Sequence, residues 1–313
     1  MGIIKVFKDE ISSEYGSYTD VESLTKPSLF MLLSAFSFAL MGALSHFVGE
    51  RCDWRLILIA RTFLTFVIAV GVAIATNVRL VFLKPATLWL RSIAGSVAMP
   101  CTFYALTHLP ISTAFSLTNT FPLWVTVLSW PMLGRRPKTK AWVAVIIGVC
   151  GVILIQQPDL SGSRTAGLIA ISGSVCTAIA IIGINKINKV HALAIIAHYC
   201  GVSTTISLVC LLLSGAKIDY AMLEDYAVPL LGVGIVGTLG QFGLTRAFTI
   251  GDPARIAVVG LTQIVFALGF DLIFWERHLD ILTLAGILLV VAPTAWLLMH
   301  HPIKKVGPLP EYE

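Results

Sequence analysis

Ten apolar runs of bilayer-crossing length follow one another along this chain, and the second five repeat the first. A spanning helix takes about 20 mainly apolar residues. The runs are 28–48, 55–76, 86–107, 111–132, 140–156, 165–185, 192–213, 226–249, 254–274 and 281–299, joined by short links marked with Pro, Gly, Asn or charge. The repeat is plainest where Tyr104-Ala105-Leu106-Thr107 is answered, 142 positions on, by Arg246-Ala247-Phe248-Thr249. The same offset runs without gaps to the pairs Ala144/Gly286 and Gly151/Pro293. Each copy holds an odd number of spans, so the second enters the membrane from the opposite side. The expected fold is an all-α integral membrane protein of ten transmembrane helices, arranged as two inverted five-helix repeats. The repeats are 28–156 and 165–299, between polar tails at 1–27 and 300–313.

Composition removes the main alternatives. Only 12% of the residues are charged and 57% are hydrophobic, whereas a soluble domain carries about 25% charged residues. The net charge of +5 is dispersed among loops without a Lys/Arg block, so nucleic acid is not an expected partner. The first 26 residues mix both signs and lack the order of a signal peptide, which reads as a cytoplasmic tail. The six cysteines sit mostly inside apolar runs, with neither paired nor metal-ligand spacing. They read as small apolar side chains.

Basic residues collect on the cytoplasmic side of a membrane. With the N-terminus inside, Lys5, Lys8, Lys26, Arg79, Lys84, Arg135, Arg136, Lys138, Lys140, Lys186, Lys189, Lys304 and Lys305 face inward. Arg51, Arg55, Arg164, Lys217 and Arg277 face outward. Thirteen against five places both termini in the cytoplasm, with a bacterial inner membrane as the expected bilayer.

Charges inside the hydrocarbon layer cost roughly 2.5–3.5 kcal/mol on insertion scales, so they face a cavity or a partner. Arg61, a third of the way along the second run, reads either as a counter-charge for an anionic solute or as a buried structural clamp. Asp271 reads either as a protonatable coupling site or as a hydrated acid at the membrane interface. Arg91 and Arg246 lie near helix ends, where a long side chain snorkels to the headgroups. Arg255 stands beside Asp252, which predicts a local ion pair.

The fourth run carries a polar stripe. Ser112, Ser116 and Thr120 are spaced by four, and Asn119 joins them on the same face. The repeat-related positions Thr262 and Gln263 are also polar, which favours a solute cavity over simple helix-to-helix bonding. Gln241 and Tyr104 are candidates for the same cavity, and Trp124, one turn beyond Thr120, offers a ring for a planar solute. Pro100 and Pro122 lie mid-run and predict kinks, while Pro253 marks a helix start.

Several segments together resemble the EamA-like branch of the drug/metabolite transporter superfamily. Ile59-Ala60-Arg61-Thr62-Phe63-Leu64 looks like its arginine-bearing second helix, followed by Phe103-Tyr104-Ala105-Leu106 and Thr120-Phe121-Pro122-Leu123-Trp124. The second copy adds Ala247-Phe248, Asp252-Pro253-Ala254 and Phe274-Trp275-Glu276-Arg277 before the last helix. Gly134 stands where a loop glutamate is usual, and Gln263-Ile264 replaces a proline step. Leu90-Arg91, Asn185-Lys186 and Thr245-Arg246-Ala247-Phe248 are also similar to S-adenosylmethionine exchangers. The resemblance implies a secondary transporter working by alternating access on a small polar metabolite, and Arg61 with the other embedded arginines tilts that solute toward an anion or a zwitterion, such as an amino acid, a carboxylate or an S-adenosylmethionine-like solute. Expected partners are that solute, the lipid bilayer and a proton or counter-solute, with a homodimer allowed.

Competing signals are weak. Gly232-Val233-Gly234-Ile235-Val236-Gly237 fits G-x-G-x-x-G, yet it sits in an apolar run with no preceding strand and reads as a close helix-packing surface. His198 reads as a satisfied core histidine. No catalytic constellation, metal site or cofactor is expected, and the chain is not read as an enzyme. The alternatives are a non-transporting receptor or scaffold and an intramembrane lipid-modifying enzyme. The enzyme reading needs acid, base and nucleophile at one depth, whereas Asp271 and Glu276 fall at the opposite side from Arg91 and Arg246.

Overall fold

The computed structural model describes residues 25–49, 52–109, 116–134, 136–157, 163–214, 226–274 and 280–299. Among them are the helices α1 (Thr25–Gly49), α2 (Trp54–Ala75), α3 (Ala86–His108), α4 (Phe121–Leu133), α5 (Thr139–Gln156) and α6 (Arg164–Lys186). They continue as α7 (Ala192–Ser214), α8 (Ala227–Ile250), α9 (Pro253–Gly260), α10 (Thr262–Phe274) and α11 (Ile281–Met299). The chain is an all-α integral membrane protein of ten spans, because α9 and α10 are two halves of the ninth. Six spans are long and apolar enough to cross a bilayer by length and composition alone: Lys26–Gly49, Trp54–Ala75, Arg164–Lys186, Ala192–Leu212, Ala227–Ile250 and Pro253–Phe274.

The surface is apolar where a soluble protein would be polar. Leu168, Leu212, Val228, Ile273 and Leu288 are all exposed on the outside of the bundle, while Ser34, Ser92, Thr126, Ser174 and Thr245 are buried inside it. Lipid chains solvate the first set; the second lets backbones approach and returns hydrogen bonds within the bundle.

Helix pairing follows the inverted repeat. Helix α8 packs along α1, and α3, the repeat counterpart of α8, packs along α6, the counterpart of α1. In the same way α10 against α1 mirrors α4 against α6, and α2 pairs with α7, α5 with α11. One apolar cluster joins Met31, Leu88, Val125, Ile181, Ile195, Phe248 and Ile256, so both repeats share one interior. Where α5 crosses α11, Gly151 and Gly286 meet backbone to backbone: a Cβ on Gly286 would stand 2.7 Å from the Gly151 carbonyl oxygen. The glycine series of α8 is a packing surface as expected, with Gly234 against Leu64, Gly240 against Phe38 and Gly243 against the Phe30 carbonyl.

The fourth and ninth runs differ from the expected continuous helices. The ninth breaks at Leu261, and the fourth turns at Asn119-Thr120 before α4 begins at Phe121. These breaks are repeat-equivalent. Thr120 Oγ1 donates to the Leu117 carbonyl at 2.6 Å, and Thr262 Oγ1 donates to the Val259 carbonyl at 2.7 Å, in the same register of the two copies. A hydroxyl bonded back to its own turn competes with the helical ladder and bends it. Pro122 therefore sits in the first turn of a new helix, where its missing N–H is harmless, and not in mid-helix. Pro100 lies inside an unbroken α3. Gly134 takes a left-handed conformation (φ 66°) at the end of α4, and that cap accounts for glycine at this loop position.

Candidate substrate-binding site

Asp53 starts α2 by accepting the Arg55 N–H at 2.8 Å, which sets the register that turns Arg61 inward two turns later. Arg61 is only 7% exposed. Its Nη1 donates to the Met99 sulfur of α3 at 3.0 Å, and its guanidinium lies 5.3 Å from the centre of the Phe38 ring of α1. The α8 glycines make the room: a Cβ on Gly237 would stand 3.4 Å from Arg61 Cγ. One turn along the same face of α8 comes Gln241, buried and donating to Thr245 Oγ1 at 3.2 Å. Thr238 donates to Thr65 Oγ1 at 3.1 Å and ties α8 to α2 beside the arginine.

Arg91 does not snorkel. It is 4% exposed, with its guanidinium carbon 4.0 Å from the centre of the Tyr199 ring of α7. The guanidinium folds back over Gly95, where any Cβ would collide with Nη1, and Gly183 of α6 closes on the Arg91 backbone. Its Nε has no hydrogen-bond partner. The Arg61 and Arg91 guanidiniums lie along one face of α3, at Met99 and over Gly95, one turn apart.

Magnitudes show what this pair lacks. Each buried guanidinium costs roughly 2.5–3.5 kcal/mol on insertion scales, and a cation–π contact returns about 0.5–2 kcal/mol. A thioether is a weak acceptor. Among the described residues neither arginine meets a carboxylate; the ion pair found there is Arg55–Asp53 at 3.2 Å, on the surface.

The polar stripe forms a separate group. Ser116 is buried with its hydroxyl unpartnered, and Thr120 Oγ1 lies 3.2 Å from Ser174 Oγ on α6. Asn119 and Gln263 are half-buried, and Thr262 is buried with its hydroxyl spent on the helix break. Trp124 packs against the shared core while its indole N–H finds no partner. Tyr104 lies toward the end of α3, stacked on His108 with ring centres 3.9 Å apart. Gln241 is thus the expected residue one turn from the glycine that meets Arg61, and the stripe lies in the turn before α4, against α6. The side chain of Asp271, the residues Glu276 and Arg277, and Ser112 lie outside the described residues.

Three further residues take roles their sequence context did not show. Arg255 makes no ion pair with Asp252, whose carboxylate instead accepts the Arg255 backbone N–H at 3.1 Å to start α9. Asn185 donates to the carbonyls of Phe248 and Gly251 at 2.9 and 3.0 Å and so clamps the end of α8. Tyr199 emerges as the aromatic face over Arg91, although its run gave no signal beyond an aromatic in a helix. His198 is satisfied on both sides, by Ser92 Oγ at 2.7 Å and the Phe82 carbonyl at 3.1 Å. Where the end of α4 meets the α8–α9 turn, a recess of about 360 Å³ is lined by Arg136, Lys138, Asp252 and Arg255, and it holds none of the expected binding residues.

The sequence profile of the EamA-like transporter family matches residues 25–157 and again 164–299. The chain belongs to the EamA-like transporter family. This EamA-like protein is 28% identical over 268 residues to a pseudopaline exporter of Pseudomonas aeruginosa, covering 84% of this chain and 93% of that one. It is also 28% identical over 309 residues to human solute carrier family 35 member G1, covering 90% and 83%. A solved crystal structure shares its fold at a TM-score of 0.76 and 18% identity, covering 87% of this chain and 96% of that one. Family and relatives make the chain a multi-pass membrane transporter of a small solute and not an enzyme.

Proposed function

We propose that this protein is a secondary transporter that moves a small anionic or zwitterionic metabolite by alternating access, with Arg61 as the counter-charge for the solute. The observation that carries the reading is a guanidinium 7% exposed, deep in a ten-span bundle, without a carboxylate partner among the described residues. The relatives named for export and solute carriage favour transport over a receptor role. The repeats 28–156 and 165–299 would rock against each other, with the equivalent breaks at Thr120 and Thr262 absorbing the change in backbone direction. Tyr104, Ser116, Asn119, Thr120, Trp124, Gln241, Thr262 and Gln263 stand as neutral contacts along the path. Asp271 stands as a coupling residue for a proton. The excess of basic residues on one side of the spans favours both termini in the cytoplasm of a bacterial cell. The recess lined by Arg136, Lys138 and Arg255 then faces inward and draws anions toward the bundle.

The test is counterflow in proteoliposomes, with the purified chain preloaded with candidate amino acids, carboxylates, nucleosides or S-adenosylmethionine. Saturable exchange of one class is expected in the wild type, with loss in Arg61→Ala and partial retention in Arg61→Lys. Equal exchange by all three proteins would remove Arg61 from the site.

A further inference from the structure

We propose that Arg61 and Arg91 form a single two-point anion site, and that its solute carries two negative charges, as a dicarboxylate or a phosphate monoester does. The proposal rests on the carrier reading above and narrows its substrate class.

The two guanidiniums start from different helices, α2 and α3, and come to rest one turn apart along α3, that of Arg91 over Gly95 and that of Arg61 against the Met99 sulfur. Among the described residues neither guanidinium meets a carboxylate. Asp53, Asp252 and Asp280 all serve helix starts, and among the described residues no carboxylate side chain lies inside the spans. Arg91 is held in the interior by construction. Gly95 leaves the space its guanidinium fills, Gly183 closes on its backbone and the Tyr199 ring covers it. A snorkelling side chain needs none of these. Its Nε is left without an acceptor at 4% exposure.

Two buried neutral donors lie on the same two helices, α3 and α7. Ser96 is one turn beyond Ser92 on α3, and Ser203 one turn beyond Tyr199 on α7; each is 1% exposed with an unpartnered hydroxyl. A monoanion satisfies one guanidinium and leaves the second buried and repelled. A zwitterion brings its ammonium toward that second cation. Two negative charges on one solute answer both arginines at once, and the hydroxyls supply further donors of the kind oxyanions accept.

The experiment measures binding to the full-length chain in detergent at matched ionic strength, with four probes: succinate, glycerol 3-phosphate, lactate and alanine. At least one dianion should bind about tenfold tighter than lactate or alanine, and which of the two does so separates carboxylate from phosphate chemistry. Arg91→Gln should collapse that preference to within about threefold while lactate binding persists, and Arg91→Lys should keep part of it. Gly95→Ala retains the charge but displaces the guanidinium, so it should lose the same preference and serves if Arg91→Gln does not fold. The proposal is overturned if neither dianion outbinds lactate and alanine, or if these variants keep the wild-type ratio. Arg61-dependent counterflow of lactate or alanine, with the dianions ignored, would sink the two-point site and leave the carrier reading standing.

Discussion

Replacing Arg61 by Met should stabilise the solute-free protein, because a charge held for a ligand is a burden until the ligand arrives. Methionine fills a similar volume and suits the neighbours Phe38 and Met99. The substitution removes an insertion cost of roughly 2.5–3.5 kcal/mol and gives up a cation–π contact of about 0.5–2 kcal/mol. The net gain is on the order of 1–2 kcal/mol, or a rise of roughly 2–6 °C in melting temperature for a chain of this size. The same variant should lose stabilisation by anions, which for the wild type reaches about 2.7 kcal/mol at a hundredfold excess over Kd. Thermal unfolding of purified wild type and Arg61→Met, each with and without the anion, reads both effects. A fall of several degrees in the solute-free variant would refute the reasoning. It would mean that Arg61 clamps the bundle through its contacts, as an alternative reading of the sequence holds.

Other substitutions test the frame around the site. Gly286→Ala places a Cβ 2.7 Å from a carbonyl oxygen at the α5–α11 crossing; overpacking of this kind costs about 1–3 kcal/mol and should appear as a lower melting temperature. Asn185→Ala strands two carbonyls at the end of α8 and should destabilise by about 1–3 kcal/mol in the same assay. Asp280 is held down to about 2 by the Thr283 hydroxyl and the Gln157 amide, which bonds it at 2.6 Å. A depressed carboxylate stabilises above its ordinary value of 3.8 and loses that contribution as pH falls toward about 2. The melting difference between wild type and Gln157→Ala should therefore be flat from about pH 5 to 8. A slope in that window would show that another group titrates against the pair.

Sequence alone determined the architecture of this protein. Long apolar runs leave only helices as a way to satisfy the backbone in lipid, and the 142-residue offset orders those helices into inverted copies. The burial of Arg61 was equally legible, because a charge a third of the way along such a run has no short route to water. Tertiary structure decided the rest. The breaks at Thr120 and Thr262 depend on which carbonyl a hydroxyl finds, and a hydropathy pattern does not record that. Arg91 stands near a helix end, where its sequence context predicts an escape to the headgroups. It turns inward because Gly95 gives it space and Tyr199, about a hundred positions away in sequence, gives it a face. Local sequence sets how far a side chain can reach. Only the packed neighbours set where reaching costs least, and in this bundle that turns the second cation inward, over Gly95 and against the Tyr199 ring.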